Sequence, residues 1–347
     1  MLHGGDYIAP HRTHDFMKRL IAASLALCAP FLFPFTASAA SIDDSINEVM
    51  GPVTEAITSV IFWTVDIAGF TVPFVLIWLF VGALFFTVYF KFINIRAFKH
   101  ALEVVQGKYD DPNHQGEVSH FQALTAALSG TVGVGNIAGV AVAVSLGGPG
   151  ATFWMIIAGL FGMSSKFVEC TLGLKYRRQN ADGSVSGGPM YYLRDGLAKK
   201  NMGGLGKVLA ALFAVACIGG SFGGGNMVQI NQATQQLISV TGGETSMLYG
   251  QGWIFGVIMA VVVGIVILGG IKSIAKVTDK IVPFMVGIYI LGALWVILTN
   301  LGAVPTAFGR IISGAFDTEA MYGGLVGVLI QGIRRAAFSN EAGIGSA

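Results

Sequence analysis

The chain has 347 residues, of which 54% are hydrophobic and only 12% are charged, and its mean hydropathy is +0.69. Soluble domains carry about 25% charged residues, so this composition predicts a polytopic membrane protein and excludes a soluble catalytic domain. The net charge of +2 indicates neither an acidic nor a basic partner, and no nucleic-acid partner is predicted. Cys28, Cys170 and Cys217 do not have the spacing of a disulfide framework or a zinc site.

The N-terminal region has the pattern of a secretory signal peptide. Lys18 and Arg19 precede the apolar stretch LIAASLALCAPFLFPF, and the tripeptide ASA at 37–39 follows it as a cleavage site. Residues 1–39 are therefore predicted to be a short extension and a cleaved signal peptide. The alternative is an uncleaved first membrane helix, which the short apolar stretch and its two prolines disfavour.

Membrane spans follow along the chain. Residues 40–66 are predicted to form an amphipathic helix outside the membrane. Uncharged runs of about twenty residues, enough to cross roughly 30 Å of hydrocarbon, come next and predict six spans. A seventh run, 321–333, is cut short by two arginines. The six predicted spans are 67–90, two within 121–165 that a turn at 146–150 separates, 208–240, 246–271 and 282–299.

Basic residues concentrate in three predicted loops, 91–117, 166–207 and 272–280, whereas the opposite loops contain only Arg310. Cytoplasmic loops carry the excess of Lys and Arg, so these three loops are predicted to face the cytoplasm. Within the second loop, 187–198 is expected to lie at the membrane interface. The mature N-terminus then lies outside, as a signal peptide also requires. We therefore expect a multi-pass protein of the bacterial inner membrane, in contact with the lipid bilayer.

The stretch LSGTVGVGNIAGVA at 128–141 places three glycines within six positions of a predicted span. Each glycine weakens a helix by roughly 1 kcal/mol relative to alanine, and Asn136 adds a buried amide that needs a partner. A dinucleotide fingerprint is excluded, because no strand–turn–helix unit surrounds the glycines. Close helix packing is one explanation. A broken helix at the membrane midplane is the other, since free N–H groups there bind a carboxylate and unwound carbonyls bind sodium.

Two further clusters combine glycine with polar side chains. In CIGGSFGGGNMVQINQ at 217–232, Phe222 and Asn226 flank the glycines and are predicted to form a pocket wall, while Gln229 and Gln232 are assigned to packing. The chain ends in QGIRRAAFSNEAGIGSA, where polar residues follow a short apolar run. Charges at this depth face a cavity or pair with one another, although the two arginines also fit a cytoplasmic helix end.

The motifs ALSGTVGVGNIAGVA, GGPGATFWM, GMSSKFVECTLGLKYR, VSGGPMYYL and FSNEAGIGSA resemble those of the alanine or glycine:cation symporters, the sodium:alanine symporter family. The resemblance implies an all-α polytopic membrane protein with the leucine-transporter-like inverted-repeat fold, in which five-helix repeats follow one extra N-terminal helix. It also implies a transporter rather than an enzyme. Sodium, as the coupling ion, and a small neutral amino acid, alanine or glycine, would enter the cell together, without a covalent cofactor.

The resemblance also implies a domain organisation. Residues 67–120 would hold the extra transmembrane helix and a cytoplasmic loop, and 121–300 would be the first five-helix repeat. Residues 301–347 would be an external loop and the broken first helix of the second repeat. Because the family pattern expects four further helices, we expect a truncated chain in which the second repeat is mostly missing.

A binding site is implied at the matching positions. The N–H groups of Val134 and Gly135 would hold the substrate carboxylate. One sodium would bind the carbonyl of Thr131 and the side chain of Asn136, and a second would face the carbonyls of Ser129 and Val132. The implied substrate-binding residues are Thr131, Gly133, Val134, Gly135, Phe222, Asn226, Phe338, Ser339 and Asn340. The implied sodium-binding residues are Ser129, Thr131, Val132 and Asn136.

Two other functions stay open. Ion channels also use glycine-rich carbonyl filters, but these usually need a symmetric ring of subunits, whereas the three clusters here differ in sequence. A non-transporting remnant is the second alternative, because four expected helices are missing. Alanine or glycine as substrate, sodium or proton as coupling ion, and the oligomeric state are further open alternatives.

The predicted orientation places Ser184 on the cytoplasmic side of the membrane. A chain without its native cysteines and with Ser184→Cys should react with a membrane-impermeant maleimide only after the cells are permeabilised. Arg310→Cys, in an opposite loop, is the control and should react in intact cells. Ready labelling of Ser184→Cys in intact cells would contradict the orientation.

Overall fold

The computed structural model describes residues 39–67, 70–110, 116–317 and 324–345. The chain divides into two compact units, Met1–Glu55 and Ala56–Ala347. Helix α1 (Ala39–Ile61) supplies the described residues of the first unit and continues into the second. The predicted helical segment 40–66 is thus helical as far as Ile61, but its last residues lie in a strand that begins at Thr64. The predicted signal peptide lies outside the described residues except for its last position.

The second unit is mostly helical in its described residues. Two antiparallel hairpins interrupt the helices: β1 (Thr64–Ile67) pairs with β2 (Phe70–Pro73), and β3 (Arg178–Gln179) pairs with β4 (Val185–Ser186). The α-helices are α2 (Phe74–Tyr89), α3 (Ile93–Arg96), α4 (Phe98–Val105), α5 (His120–Thr131), α6 (Val134–Gly147), α7 (Gly150–Lys175), α8 (Pro189–Ala198), α9 (Gly203–Gly220), α10 (Val228–Val240), α11 (Gly252–Leu268), α12 (Gly270–Thr299), α13 (Val304–Ala315) and α14 (Gly324–Asn340). A π-helix, Ser221–Met227, joins α9 to α10, and short 3-10 helices cover Gly243–Thr245 and Leu301–Ala303.

Four apolar helical stretches in the described residues are long enough to cross a membrane. They are α5 with α6, α7, α9 through α10, and α12. Two further apolar helices are shorter, with 16 residues in α2 and 17 in α11. By length and composition the chain is therefore a helical membrane protein, as the sequence predicted.

The first predicted span, 67–90, is wrong at its N-terminal end. The hairpin occupies the chain up to Pro73, and the helix begins only at Phe74. The amide of Phe74 donates to the carbonyl of Trp63 at 2.9 Å, which ties the helix start to the beginning of the hairpin. The apolar β-branched residues of this segment suit a strand as well as a membrane helix, so hydropathy alone did not separate the two.

The predicted loop 272–280 is also wrong, because these residues form part of α12. Lys272, Lys276 and Lys280 recur every four residues, so they share one face of the helix and do not end it. The chain turns instead at the first residue of α12, where Gly270 has a φ of +69°. Glycine adopts this left-handed conformation without the strain that a side chain would bring.

Small residues bring the helices close together. Ala143 of α6, Ala151 of α7 and Val328 of α14 form a buried cluster. A Cβ atom on Gly332 of α14 would lie 2.6 Å from the Cβ of Trp154 and 2.8 Å from the Ala151 carbonyl oxygen. In a lipid bilayer the hydrophobic effect does not favour helix association, because the lipid tails are as apolar as the side chains. Van der Waals contact between closely packed backbones therefore stabilises the helix pairs. The cluster fixes α14 against α6 and α7, whose facing residues form the candidate site.

This close packing predicts that Gly332→Ala destabilises the protein. Overpacking typically costs about 1–3 kcal/mol, so the variant should melt at a lower temperature in detergent than the unchanged chain. Gly159→Ala is the matched control, because a Cβ there meets nothing within 4 Å. Alanine is favoured over glycine in a helix by up to ~1 kcal/mol, so the control should melt at the same or a higher temperature. Equal melting temperatures for the two variants would contradict the packing argument.

Candidate functional site

The first glycine cluster interrupts a helix. α5 ends at Thr131 and α6 begins at Val134, so Val132 and Gly133 belong to neither helix. Both intervening residues have extended backbone conformations, with φ of −100° and −158°. The broken helix that was one of two explanations for the glycines at 128–141 is therefore confirmed as an interruption of the helix. Such a break leaves the last carbonyls of one helix and the first N–H groups of the next without helical partners.

Asn136 caps the new helix. Its side-chain oxygen accepts a hydrogen bond from the backbone N–H of Gly133 at 3.3 Å. Its backbone N–H donates to the Gly133 carbonyl at 3.0 Å. An amide oxygen has two lone pairs, so this bond leaves one lone pair for a further ligand. The side-chain amide that the sequence predicted to be buried is half-buried, and the break itself satisfies part of its hydrogen bonding.

The hydroxyl groups before the break are used by α5. Ser129 Oγ donates to the Ala126 carbonyl at 2.6 Å, and Thr131 Oγ1 donates to the Ala127 carbonyl at 3.0 Å. Each hydroxyl has one hydrogen, so these two side chains can face a cation only through their oxygen lone pairs.

Helix α14 brings the C-terminal cluster to this region. It continues past the two arginines and ends at Asn340. Glu341, Gly343 and Gly345 then have φ of +51°, +88° and +87°, so the chain turns sharply after the helix. The arginines therefore lie inside α14 and not at its end. The guanidinium of Arg334 lies 5.2 Å from the ring centre of Phe62, in a cation–π contact.

The break between α5 and α6 meets the end of α14. A Cβ atom on Gly135 would lie 2.9 Å from the Cα and 3.2 Å from the Cβ of Ser339, so only glycine fits there. Ser339 is 7% exposed. A Cβ atom on Gly130 would lie 4.0 Å from Oε2 of Glu341. The structure thus joins two predicted site residues and adds a carboxylate that the sequence analysis did not select.

Gln229 is a second residue that the sequence analysis missed. It was assigned to packing, yet its Oε1 lies 3.6 Å from the position of a Cβ atom on Gly133. Its Nε2 donates to the Gly224 carbonyl in the π-helix at 3.4 Å. A Cβ atom on Gly224 would in turn lie 4.0 Å from the ring of Phe338. π-Helical turns are frequent at functional sites, and the glycine run was the available signal for one.

Phe222 and Asn226 face α8. They line a cavity of about 440 Å³ whose other walls come from α8, α9 and the π-helix. Phe222 is 65% exposed, and Asn226 Nδ2 donates to the Ser221 carbonyl at 2.9 Å. Their assignment to a substrate pocket stays a prediction.

Asn340 packs against α7. Its Nδ2 lies 3.3 Å from the position of a Cβ atom on Gly162, and its Oδ1 accepts from the Ala342 amide at 3.0 Å. The side chain therefore caps the turn that follows α14. This turn then passes Leu79, since a Cβ atom on Gly343 would lie 3.1 Å from its Cδ2.

Helix α8 and the second hairpin carry a charged network. The guanidinium of Arg178 donates to both carboxylate oxygens of Asp195, at 2.9 to 3.2 Å. Hydrogen bonds from Arg194 and Arg178 lower the pKa of the Asp195 carboxyl. Burial, together with the charges of Glu169 and Cys170, raises the pKa of Tyr192 to about 12. At physiological pH this tyrosine therefore stays neutral while the aspartate is ionised.

The site offers oxygen ligands in an apolar surrounding. Among the described residues, no group of three or more His, Cys, Asp and Glu side chains is placed to hold a metal ion. The available groups near the break are carbonyls, the Asn136 and Gln229 amides, and the Glu341 carboxylate. Hard cations prefer such oxygens, and the N–H groups at a helix start suit an anion. Oxygen donors and the N–H groups of a helix start therefore lie close together at the break.

The chain matches the model of the sodium:alanine symporter family over residues 54–347. It is 44% identical over 276 residues to the sodium/alanine symporter AgcS of Methanococcus maripaludis, which covers 79% of this chain and 59% of that protein. It is 38% identical over 265 residues to the amino-acid carrier protein AlsT of Bacillus subtilis, covering 76% and 53%. The probable sodium/glutamine symporter GlnT of Bacillus subtilis is 37% identical over 266 residues, covering 76% and 52%. The chain thus spans between about half and three fifths of the length of these relatives.

The contact between the break and α14 predicts an effect of Gly135→Ala. The added methyl group would overlap Ser339, so it should push the end of α14 away. In a chain without native cysteines, Ser339→Cys should react faster with a small thiol reagent when Gly135→Ala is present. Gly139→Ala is the control, because its Cβ would meet only the Val134 carbonyl oxygen at 3.9 Å. Equal reaction rates with the two alanine variants would argue against the contact.

Proposed function

We propose that this chain, which belongs to the sodium:alanine symporter family, carries a small neutral amino acid into the cell together with sodium. The observation that supports this most is the meeting of two helix ends, where the break at 132–133 faces the C-terminal end of α14. Broken helices of this kind bind substrate and coupling ion in secondary transporters.

The substrate carboxylate binds at the start of α6. The N–H groups of Val134 and Gly135 lie in its first turn and have no helical acceptor. The positive end of the helix dipole attracts an anion at the same place. Because Gly135 has no side chain, Ser339 of α14 lies close to the backbone that would hold the carboxylate.

Sodium binds beside the carboxylate. The Thr131 carbonyl and the free lone pair of Asn136 provide ligands for one ion, and the carbonyls of Ser129 and Val132 for a second. Glu341 adds a carboxylate close to Gly130. Oxygen donors of these types suit an alkali cation, which is cargo here and not a resident cofactor.

The walls of the pocket favour a small side chain. Ser339 lies against Gly135, and the ring of Phe338 approaches Gly224, so we assign these two side chains to the pocket wall that limits the substrate side chain. Alanine or glycine fits such a space. This preference agrees with the name of one relative, the sodium/alanine symporter AgcS.

The family also supports a fold and a location. In the leucine-transporter-like inverted-repeat fold, α5 with α6 would be the broken first helix of one repeat. Helix α14 would be the first part of the corresponding broken helix in the second repeat. A substrate pocket between the first helices of both repeats agrees with the contact of Gly135 and Ser339. The protein would lie in the bacterial inner membrane with its mature N-terminus outside.

Coupling follows from the shared break. Sodium and the amino acid use adjacent atoms of one interrupted helix, so each stabilises the geometry that the other needs. By linkage, sodium must then raise the affinity for the amino acid by the same factor by which the amino acid raises the affinity for sodium.

Asn136→Leu tests the sodium site. The change removes one oxygen ligand and keeps most of the volume, so half-saturation of alanine binding should need about tenfold more sodium, equivalent to ~1.4 kcal/mol. Binding of radiolabelled alanine to the purified protein over a sodium titration measures this. Gln232→Leu is the matched control, because it removes an exposed amide assigned to packing and should change the sodium dependence little. Equal sodium dependence in both variants would make Asn136 only a cap of α6.

A further inference from the structure

A buried carboxylate lies behind the end of α14. Glu169 of α7 is 9% exposed, and its Oε1 accepts a hydrogen bond from the Gly345 amide at 2.6 Å. Its Oε2 is also buried and has no hydrogen-bond partner among the described residues. The ammonium group of Lys166 lies 3.8 Å from this second oxygen. The carboxylate therefore makes a short hydrogen bond to the turn after α14 and lies next to the Lys166 ammonium.

The turn is enclosed on several sides. A Cβ atom on Gly345 would lie 2.6 Å from the ring of Phe213 and 3.0 Å from Pro189. Gly343 is in similarly close contact with Leu79. Helices α2, α7, α8 and α9 thus surround a segment whose backbone has three positive φ angles between Glu341 and Gly345. Such a backbone needs surrounding contacts that keep it in place.

Helix α7 holds the end of α14 at two points. Gly162 contacts Asn340 and Ala342, and Glu169 binds Gly345. The two α7 residues are seven positions apart, which puts them on nearly the same helix face and about 10 Å apart along the axis. Residues on both sides of the turn are therefore fixed relative to α7. Ser339, which directly precedes this clamped segment, is the residue that presses on Gly135.

We infer that Glu169 is a positioning residue for the proposed pocket, because its bond to the Gly345 amide seats Ser339 against Gly135. The inference rests on the proposed function and adds to it a residue that does not touch the substrate. A leucine would fill the same space without the cost of a buried charge. The side chain at 169 is instead an acceptor, which satisfies the Gly345 amide in the turn.

The binding experiment compares Glu169→Leu with Glu169→Gln. Leucine keeps the volume and loses the acceptor, so alanine in the presence of sodium should bind at least about tenfold more weakly. Glutamine keeps an acceptor oxygen at the same reach, so its affinity should stay within about threefold of the unchanged chain. A role in packing alone would leave the leucine variant with unchanged affinity. A requirement for charge would weaken both variants equally, and either result would overturn the inference.

A second experiment does not need the ligand. In a chain without native cysteines and with Ser339→Cys, Glu169→Leu should speed the reaction of this cysteine with a small methanethiosulfonate reagent, whereas Glu169→Gln should not. Glu103→Leu is the control, because it removes a carboxylate that pairs with Lys108 at 3.0 Å, and should have no effect.

The two experiments separate the inference from the proposed function. If the unchanged chain binds no alanine, the proposed function fails, while the cysteine reaction still tests the positioning role. If the leucine variant does not fold, Glu169→Asp replaces it, since the shorter side chain keeps the charge but cannot reach Gly345. If the cysteine of Ser339→Cys reacts no faster in the leucine variant, or in the aspartate variant that replaces it, than in the chain that keeps Glu169, the inference is overturned.

Discussion

The close approach of Gly135 to Ser339 is the constraint on which the candidate site depends. It requires a residue without a side chain at the start of α6, and a helix that ends beside it. The helix break frees the backbone groups, and the approach of α14 encloses them. Small residues between α6, α7 and α14 make the approach possible, because they let the backbones pack closely where lipid offers no hydrophobic drive.

Local sequence signals predicted one half of this site. The glycines near Asn136 weaken the helix at their own position, so the break could be located from the sequence alone. The end of α14 at Asn340 was not located in this way. The segments 67–73 and 272–280 were assigned wrongly because they were assigned from hydropathy and charge. Hydropathy and charge report the environment of a residue, and neither reports directly whether the backbone is helical.

The other half of the site depends on contacts between residues far apart in the chain. Gln229 and Glu341 reach the break because the π-helix and α14 pack there, and no periodic pattern relates them to Gly133 or Gly130. Glu169 is similar, since its acceptor role appears only when the turn after α14 is folded against α7. Polar residues in apolar stretches were visible in the sequence, but their partners were not.

The π-helix at Ser221–Met227 changes the direction in which its neighbours point. Its hydrogen bonds close between residues five apart instead of four, so it inserts extra chain without ending the helix. Side chains after the insertion are rotated out of phase with those before it. Phe222 and Asn226 can therefore face α8 while Gln229, only three residues further, faces the break. A single continuous helix thus contacts α8 on one side of the insertion and the break on the other. Deleting one residue within the insertion would turn Gln229 away from the break while the helix remained intact.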